Sequence, residues 1–209
     1  MITLENINKK IGQNWVLKNI SYVFESGTIY GLSGRNGSGK TMLLRTISGL
    51  ILPTSGKITI NNKVLHQDCS FPSDTGIIIE NLQLLPQLTA IENLKMLAKI
   101  KKIATDKDIY EALKRVGLEN HMNEKVKKYS LGMKQRLNIA QAIFEKPAIL
   151  LLDEPLNAID KEGVTQVRQI LVEERNRGCV VIVASHLVDD LEVLCDIKVV
   201  IDQGEIISG

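Results

Sequence analysis

The chain has 209 residues, 44% of them hydrophobic, so it is long enough to bury the core of one domain without disulfide or metal staples. Lys and Arg number 26 against 24 Asp and Glu, and aromatic residues make up 4%, which argues against nucleic acid as a partner. Three cysteines without paired-ligand spacing fit reduced thiols, and no apolar run reaches the roughly 18 residues of a membrane helix. Residues 1–10 lack the apolar core of a signal peptide, so we expect a cytoplasmic chain that meets the membrane only through a partner.

The first part of the chain alternates apolar and polar residues at the spacing of strands. Residues 1–30 hold short alternating segments broken at Gly12 and Gly27, which predicts antiparallel strands. A helix is predicted over residues 40–50, followed by a strand over residues 57–63 that runs into an Asn-Asn turn.

Helical patterns dominate from Thr89 to Pro147. Thr89 and Glu92 form a possible capping box at the start of one helix. Two further helices are predicted over residues 106–116 and 131–145, because Gly117 and Pro147 end their apolar patterns.

Beyond residue 147, buried strands alternate with helices. Apolar strands are expected over residues 148–152, 179–185 and 198–201, with a helix over residues 161–177 and a shorter one between the last two strands. Short, all-apolar strands that alternate with helices predict an α/β fold with a parallel sheet covered on both faces.

A glycine-rich stretch between the apolar segment IYGL and the helix after it carries the clearest chemical signal. Gly34, Gly39, Lys40 and Thr41 satisfy the pattern G-x-x-x-x-G-K-[ST] in the strand-loop-helix context that the motif requires. Backbone N–H groups of such a loop surround phosphate oxygens, while the lysine reaches the β- and γ-phosphates and the threonine hydroxyl is offered to Mg²⁺. The residues predicted to bind nucleotide here are Gly34, Arg35, Asn36, Gly37, Ser38, Gly39, Lys40, Thr41 and Met42.

Two further strands end at side chains that could act on the nucleotide. The strand AILLL leads to Asp153 and Glu154, and the carboxyl ends of parallel strands gather at one edge of a sheet. Asp153 is therefore predicted to hold Mg²⁺ with Thr41, and Glu154 to act as general base on the attacking water. The strand CVVIVAS leads to His186, whose imidazole could donate a hydrogen bond to the γ-phosphate, so Glu154, His186 and Lys40 are the predicted catalytic residues.

The motifs SGRNGSGKT, YSLGMKQR, LLLDEP, NAID and ASH stand in the same order as in the ATP-binding subunits of ABC transporters, which the whole chain resembles. The resemblance implies a P-loop NTPase fold of the ABC ATPase type, with a parallel core sheet, an N-terminal antiparallel β subdomain and an inserted helical subdomain. It implies one domain over residues 1–209, with a nucleotide-binding core formed by residues 1–80 and 146–209 and a helical signature subdomain over residues 81–145.

The segment YSLGM occupies the register of the family's L-S-G-G-Q signature, and only Ser130 and Gly132 match it. In the family, this serine and the helix N-terminus behind it contact the γ-phosphate of ATP held by the other subunit. The resemblance thus implies a head-to-tail dimer of two copies that sandwiches two ATP molecules. It also implies that the loop over residues 157–160 links the two sites, and that the helical subdomain docks on an integral membrane permease.

The adenine-binding position departs from the family's pattern. Ile11 stands where most members place an aromatic ring against the base. Trp15, four residues later, could take over the stacking, although it also fits the start of a strand packed in the core.

The second departure lies at the end of the strand before the helical subdomain. Most members have Gln there, close to Mg²⁺ and the attacking water, whereas here Glu80 occupies the place and Gln83 is a rival three residues on. We take Glu80 as a metal ligand beside Thr41 and Asp153. Glutamate here, together with the S-L-G-M signature, resembles the ATPase subunits of exporters for bacitracin resistance and lantibiotic self-immunity.

The sequence therefore predicts an ATP hydrolase that uses ATP and Mg²⁺ and lies peripherally on the cytoplasmic side of the cell membrane. We expect it to power an exporter of a peptide antibiotic or another amphipathic compound. The alternatives are the ATPase of a nutrient or metal importer, a soluble ABC ATPase that acts on the ribosome or DNA, and a regulator that does not hydrolyse. A single cassette without a heptad run disfavours the soluble machine, and intact Glu154 and His186 disfavour the regulator.

Overall fold

The computed structural model describes residues 1–80 and 84–209, without the side chains of residues 188–190. None of the helices in these ranges has the length and hydropathy of a membrane span. The strands are β1 (Ile2–Ile11), β2 (Asn14–Phe24), β3 (Thr28–Ser33), β4 (Ser55–Ile60), β5 (Lys63–Val64), β6 (Thr75–Ile78), β7 (Ile149–Asp153), β8 (Val180–Ala184), β9 (Ile197–Asp202) and β10 (Glu205–Ser208). The helices are α1 (Lys40–Ile47), α2 (Ala90–Lys101), α3 (Asp106–Arg115), α4 (Leu131–Ile143), α5 (Lys161–Asn176) and α6 (Val188–Leu194), with a 3₁₀ turn at Val126–Lys128.

The strands form two sheets. The larger has the order β10-β9-β3-β8-β7-β6, in which β10 is antiparallel to β9 and the other neighbours are parallel. The smaller has the order β2-β1-β4-β5 and is antiparallel throughout. Both the parallel core sheet and the antiparallel N-terminal strands predicted from the sequence are confirmed, whereas β10 was not predicted.

Side chains alternate between the two faces of the larger sheet and build a hydrophobic cluster on each. On one face, Ile78, Leu150 and Leu152 join apolar residues of α2 to α6. On the other, Leu151 and Ile182 pack with α1 and with the smaller sheet. Because both faces are covered, the central strands β3, β7 and β8 are buried along nearly their whole length, which accounts for their apolar sequences.

Local sequence signals set the ends of several elements. The predicted capping box at α2 is present: the Thr89 amide donates to Glu92 Oε2 (2.7 Å), and the Glu92 amide donates to Thr89 Oγ1 (3.2 Å). A second capping box, of Thr105 and Asp108, begins α3 and was not predicted, since the last residue of the pattern is usually Glu or Gln. The Asn-Asn turn is confirmed between β4 and β5.

The parallel strands bring their carboxyl ends to one edge of the larger sheet. Ile78 pairs with Leu152 across β6 and β7, and Asp153 pairs with Ala184 across β7 and β8. Residues that directly follow β3, β6, β7 and β8 therefore meet at this edge, which is where open α/β sheets bind ligands.

Candidate functional site

The loop over residues 34–39 joins β3 to α1 and lies at this edge. Gly34 has a φ of 153°, and a Cβ atom there would lie 2.2 Å from the carbonyl oxygen of Ile201, so only glycine fits. Lys40, 7% exposed, donates from Nζ to the carbonyl oxygens of Gly34 (2.6 Å) and Arg35 (3.2 Å). The ammonium group is thus held against the loop, where phosphate oxygens could replace the carbonyls as its partners.

A cavity of about 480 Å³ opens beside this loop, within the size range of small-molecule sites. All of its lining residues except Val16 were predicted from the sequence to bind nucleotide or metal or to act in catalysis. The predicted residues Gly34 and Arg35 hold Lys40 through their carbonyls and are not among the lining residues. The cavity is lined by Val16, Asn36, Gly37, Ser38, Gly39, Lys40, Thr41, Met42, Asp153 and Glu154.

The predicted metal ligands Thr41 and Asp153 are in direct contact. Thr41 Oγ1 donates to Asp153 Oδ2 at 2.6 Å. Burial raises the pKa of Asp153 above its usual value, and the charges of Glu154 and Glu80 add to the rise, while the hydrogen bond from Thr41 opposes it. A bound cation would stabilise the charged form of this buried carboxylate. The hydroxyl and the carboxylate together offer the oxygen ligands that Mg²⁺ prefers, and Mg²⁺ takes its other ligands from phosphate and water. Among the side chains that the structure describes, those of residues 1–80, 84–187 and 191–209, there is no group of three or more His, Cys, Asp or Glu that could hold a metal ion.

Glu154 and His186 form a hydrogen-bonded pair at the ends of β7 and β8. Glu154 Oε1 accepts from the His186 amide (2.9 Å) and lies 2.7 Å from His186 Nδ1, while Oε2 accepts from Ser185 Oγ (3.2 Å). The Glu154 backbone is left-handed, with a φ of 49°, and its amide donates to the carbonyl of Ala184. The sequence predicted both residues but not this contact, which orients the carboxylate at the cavity wall.

Glu80 lies two residues beyond the last residue of β6 and forms an ion pair with Arg45, in the last turn of α1. Its carboxylate is 57% exposed and is not among the groups that line the cavity. Its charge nevertheless contributes to the raised pKa of Asp153, so the two carboxylates are electrostatically coupled. Metal binding by Glu80 stays a prediction, and the rival Gln83 lies outside the described residues.

Ile11 and Trp15 lie at the end of the β1–β2 hairpin, and each is 47% exposed. Neither lines the cavity, and Lys10 Nζ lies 5.6 Å from the centroid of the Trp15 ring. Val16, the next residue on β2, does line it. Side chains alternate along a strand, so Trp15 and Val16 point to opposite faces, and Val16 is the one on the side of the cavity. Adenine stacking by Trp15 stays a prediction.

Trp15 is the single tryptophan of the chain, so its role can be measured directly. If its ring packs on adenine, we expect ATP to quench the protein's tryptophan fluorescence, because the ring exchanges water for a stacked base. Titration with ATP measures this, and the same titration of Lys40→Ala, which removes a phosphate ligand, is the control. An unchanged signal at saturating ATP would remove Trp15 from the site.

The signature residues Ser130 and Gly132 lie at a second cavity, of about 490 Å³. Ser130 caps α4 by accepting from the Met133 amide (3.2 Å), and a Cβ atom on Gly132 would lie 2.8 Å from the carbonyl of Ala158. No residue of the loop over 34–39 lines this cavity. Its lining consists of Gly117, Leu118, His121, Ser130, Leu131, Gly132, Met133, Arg136, Ala158 and Asp160.

Two side chains of α4 connect the second cavity to the segment after Glu154. Gln135 Nε2 donates to the carbonyl of Pro155 (3.0 Å), and Arg136 Nη2 donates to Asp160 Oδ1 (2.7 Å). Asp160 also caps α5 through the Gly163 amide, a hydrogen bond that holds its pKa below the usual value, with Arg136 adding to the effect. No role was predicted for Gln135 or Arg136, since partners so distant in sequence leave no local pattern.

Comparison with known proteins gives a consistent result. The family model described as ABC transporter matches residues 17–157. The uncharacterised ABC transporter ATP-binding protein YybJ of Bacillus subtilis (strain 168) is 61% identical over 99% of this chain and 94% of its own length. The bacitracin transport ATP-binding protein BcrA of Enterococcus faecalis is 34% identical over 100% of this chain and 68% of its own length. The lantibiotic transport ATP-binding protein SrtF of Streptococcus pyogenes is 33% identical over 99% and 89%, respectively.

Among solved structures, the ATP-binding cassette MJ0796 matches with a TM-score of 0.88 and 28% identity, over 99% of this chain and 97% of that one. That structure is dimeric and shows a post-hydrolysis state bound to ADP and Pi. These matches confirm the resemblance and the fold class derived from the sequence.

Proposed function

The chain belongs to the ABC transporter family as an ATP-hydrolysing, ATP-binding subunit, and on that premise we propose that two copies work head to tail to drive a membrane exporter. The observation that carries the proposal is the presence of two separate cavities. One holds the phosphate loop and Glu154, and the other holds Ser130 and Gly132. Two copies facing each other head to tail would form two nucleotide sites. Each site would combine the phosphate-loop cavity of one copy with the Ser130 cavity of the other.

In the proposed site, loop N–H groups and Lys40 bind the β- and γ-phosphates of ATP. Glu154 orients the attacking water and accepts its proton, while His186 holds the carboxylate in place. The N-terminus of α4, with Ser130, directs its positive potential at the γ-phosphate held by the other copy. Thr41 and Asp153, with Glu80 as a further ligand, would hold Mg²⁺, which neutralises charge on the phosphates.

We assign residues 1–80 and 146–209 to a nucleotide-binding core and residues 81–145 to a helical subdomain that docks on a permease. Supporting this, α2 exposes the apolar side chains Met96 (49%) and Ile100 (76%). Exposed apolar groups that lie close together are typical of protein contacts. Such docking would place the chain peripherally on the cytoplasmic side of the membrane.

The transported compound is proposed to be a peptide antibiotic or another amphipathic molecule. The support is the similarity over the whole chain to proteins named for bacitracin and lantibiotic transport. A second support is the presence of Glu80 together with the S-L-G-M signature, the two features that resemble this exporter branch.

Co-expression with a membrane permease, sought first among the products of the neighbouring genes, tests the proposal. We expect cells that contain both proteins to survive several-fold higher bacitracin than cells with the Glu154→Gln variant, because export requires turnover. Ile100→Glu should abolish co-purification with the membrane protein by placing a charge in an apolar contact, while Ile207→Glu, at another exposed isoleucine, should not. Equal survival of both strains with bacitracin and with every lantibiotic and amphipathic compound tested would contradict the proposed export, and co-purification of Ile100→Glu would contradict docking through α2.

A further inference from the structure

One face of α1 carries two polar side chains above two neighbouring strand ends. Thr41 and Arg45 are one helical turn apart and so lie on the same face. Thr41 donates to Asp153, the last residue of β7, and Arg45 pairs with Glu80, which follows the neighbouring strand β6. The same face of α1 thus contacts a carboxylate at the end of each strand, through a hydroxyl group at Asp153 and through a guanidinium group at Glu80.

Thr41 and Arg45 contact the two carboxylates from one face of α1, so Glu80 lies beside the position where Thr41 and Asp153 would hold a metal. Arg45 is 29% exposed and Glu80 57% exposed, and ion pairs with this much access to water are weak and readily exchanged. The ion pair between Glu80 and Arg45 can therefore break at little cost in free energy.

The backbone of Glu80 supports an exchange of partners. Its φ is 60°, in the left-handed region that residues other than glycine rarely adopt. Such a conformation persists only where the surroundings hold it, and the ion pair to Arg45 is one contact that Glu80 makes in this conformation.

We propose that Arg45 is a positioning residue that competes with the metal for Glu80. The inference rests on the proposed function, in which Glu80 is a metal ligand. Arg45 holds the Glu80 carboxylate on α1 in the resting protein and releases it when a divalent cation binds with nucleotide. Arg45 thereby lowers the resting affinity for the cation and couples its arrival to a movement at the end of β6.

Mn²⁺ is the probe, because the electron paramagnetic resonance signal of free Mn²⁺ reports binding without turnover. In the presence of the non-hydrolysable analogue AMP-PNP, we expect Arg45→Gln to bind Mn²⁺ about two- to fivefold more tightly, the range that corresponds to losing one exposed ion pair. Glu80→Gln should bind it more weakly, since a charged ligand is lost. Adding Arg45→Gln to Glu80→Gln should then have little further effect.

Lys57→Gln is the matched control, because it also removes one positive charge and one exposed ion pair, that with Glu5 (3.3 Å). It should leave Mn²⁺ affinity unchanged. Arg45→Lys keeps the charge and should bind Mn²⁺ about as tightly as the unmodified protein, and Arg45→Met, which also removes the charge, replaces Arg45→Gln if that variant melts at a lower temperature. An equal effect of Arg45→Gln with and without Glu80, or no effect at all, would overturn the role of Arg45. Failure of the unmodified protein to bind AMP-PNP would instead contradict the proposed function.

Discussion

We expect Glu154→Gln to lower the rate of ATP hydrolysis by about 10²- to 10⁴-fold, the contribution of a positioned general base, while nucleotide still binds. The amide keeps the shape of the side chain, and its single oxygen can accept the hydrogen bond that the His186 amide now donates, while its NH2 group can donate to the Ser185 hydroxyl. It cannot take a proton from water. Release of inorganic phosphate by the purified variant measures the loss.

The change removes one negative charge, so Glu119→Gln, at an exposed position on the same chain, is the control. That variant should hydrolyse ATP at the unmodified rate. Full hydrolysis by Glu154→Gln would sink the assignment of Glu154 as base, and the neighbouring Asp153 would then have to be tested in its place.

Much of this site could be predicted because its determinants are local. The phosphate loop is one contiguous motif, and Asp153, Glu154 and His186 each end an apolar strand. Parallel strands then bring such ends to one edge by topology alone. The direction of the strands followed from their all-apolar sequences, since only a sheet covered on both faces buries them completely.

The contacts that were not predicted join residues with no sequence relationship. Arg45 meets Glu80 because α1 crosses the ends of β6 and β7, and Gln135 reaches Pro155 because α4 packs beside the segment after β7. Neither crossing has a signature in the chain. Val16 was not predicted for a different reason. Adenine stacking favours an aromatic ring, which Trp15 has, but Trp15 points to the opposite face of the strand from Val16.

The second large effect is expected at the proposed surface between two copies. Leu131 is 70% exposed and lines the second cavity, next to Ser130 at the start of α4. A carboxylate at a helix N-terminus is compatible with the helix, so Leu131→Glu should fold. Facing the γ-phosphate of the other copy, it should weaken ATP-dependent association by more than about 100-fold, because like charges at an interface cost several kcal/mol. Leu131→Gln is the uncharged control.

The mass of the Glu154→Gln protein in solution, measured by sedimentation with and without ATP, tests the central claim that two chains share each nucleotide. We expect one chain of 23.2 kDa without ATP and twice that mass at saturating ATP. Adding Leu131→Glu should keep the protein at the lower mass, whereas adding Leu131→Gln should allow the dimer. A protein that binds ATP yet stays at the mass of one chain, or a dimer that tolerates Leu131→Glu, would contradict the account.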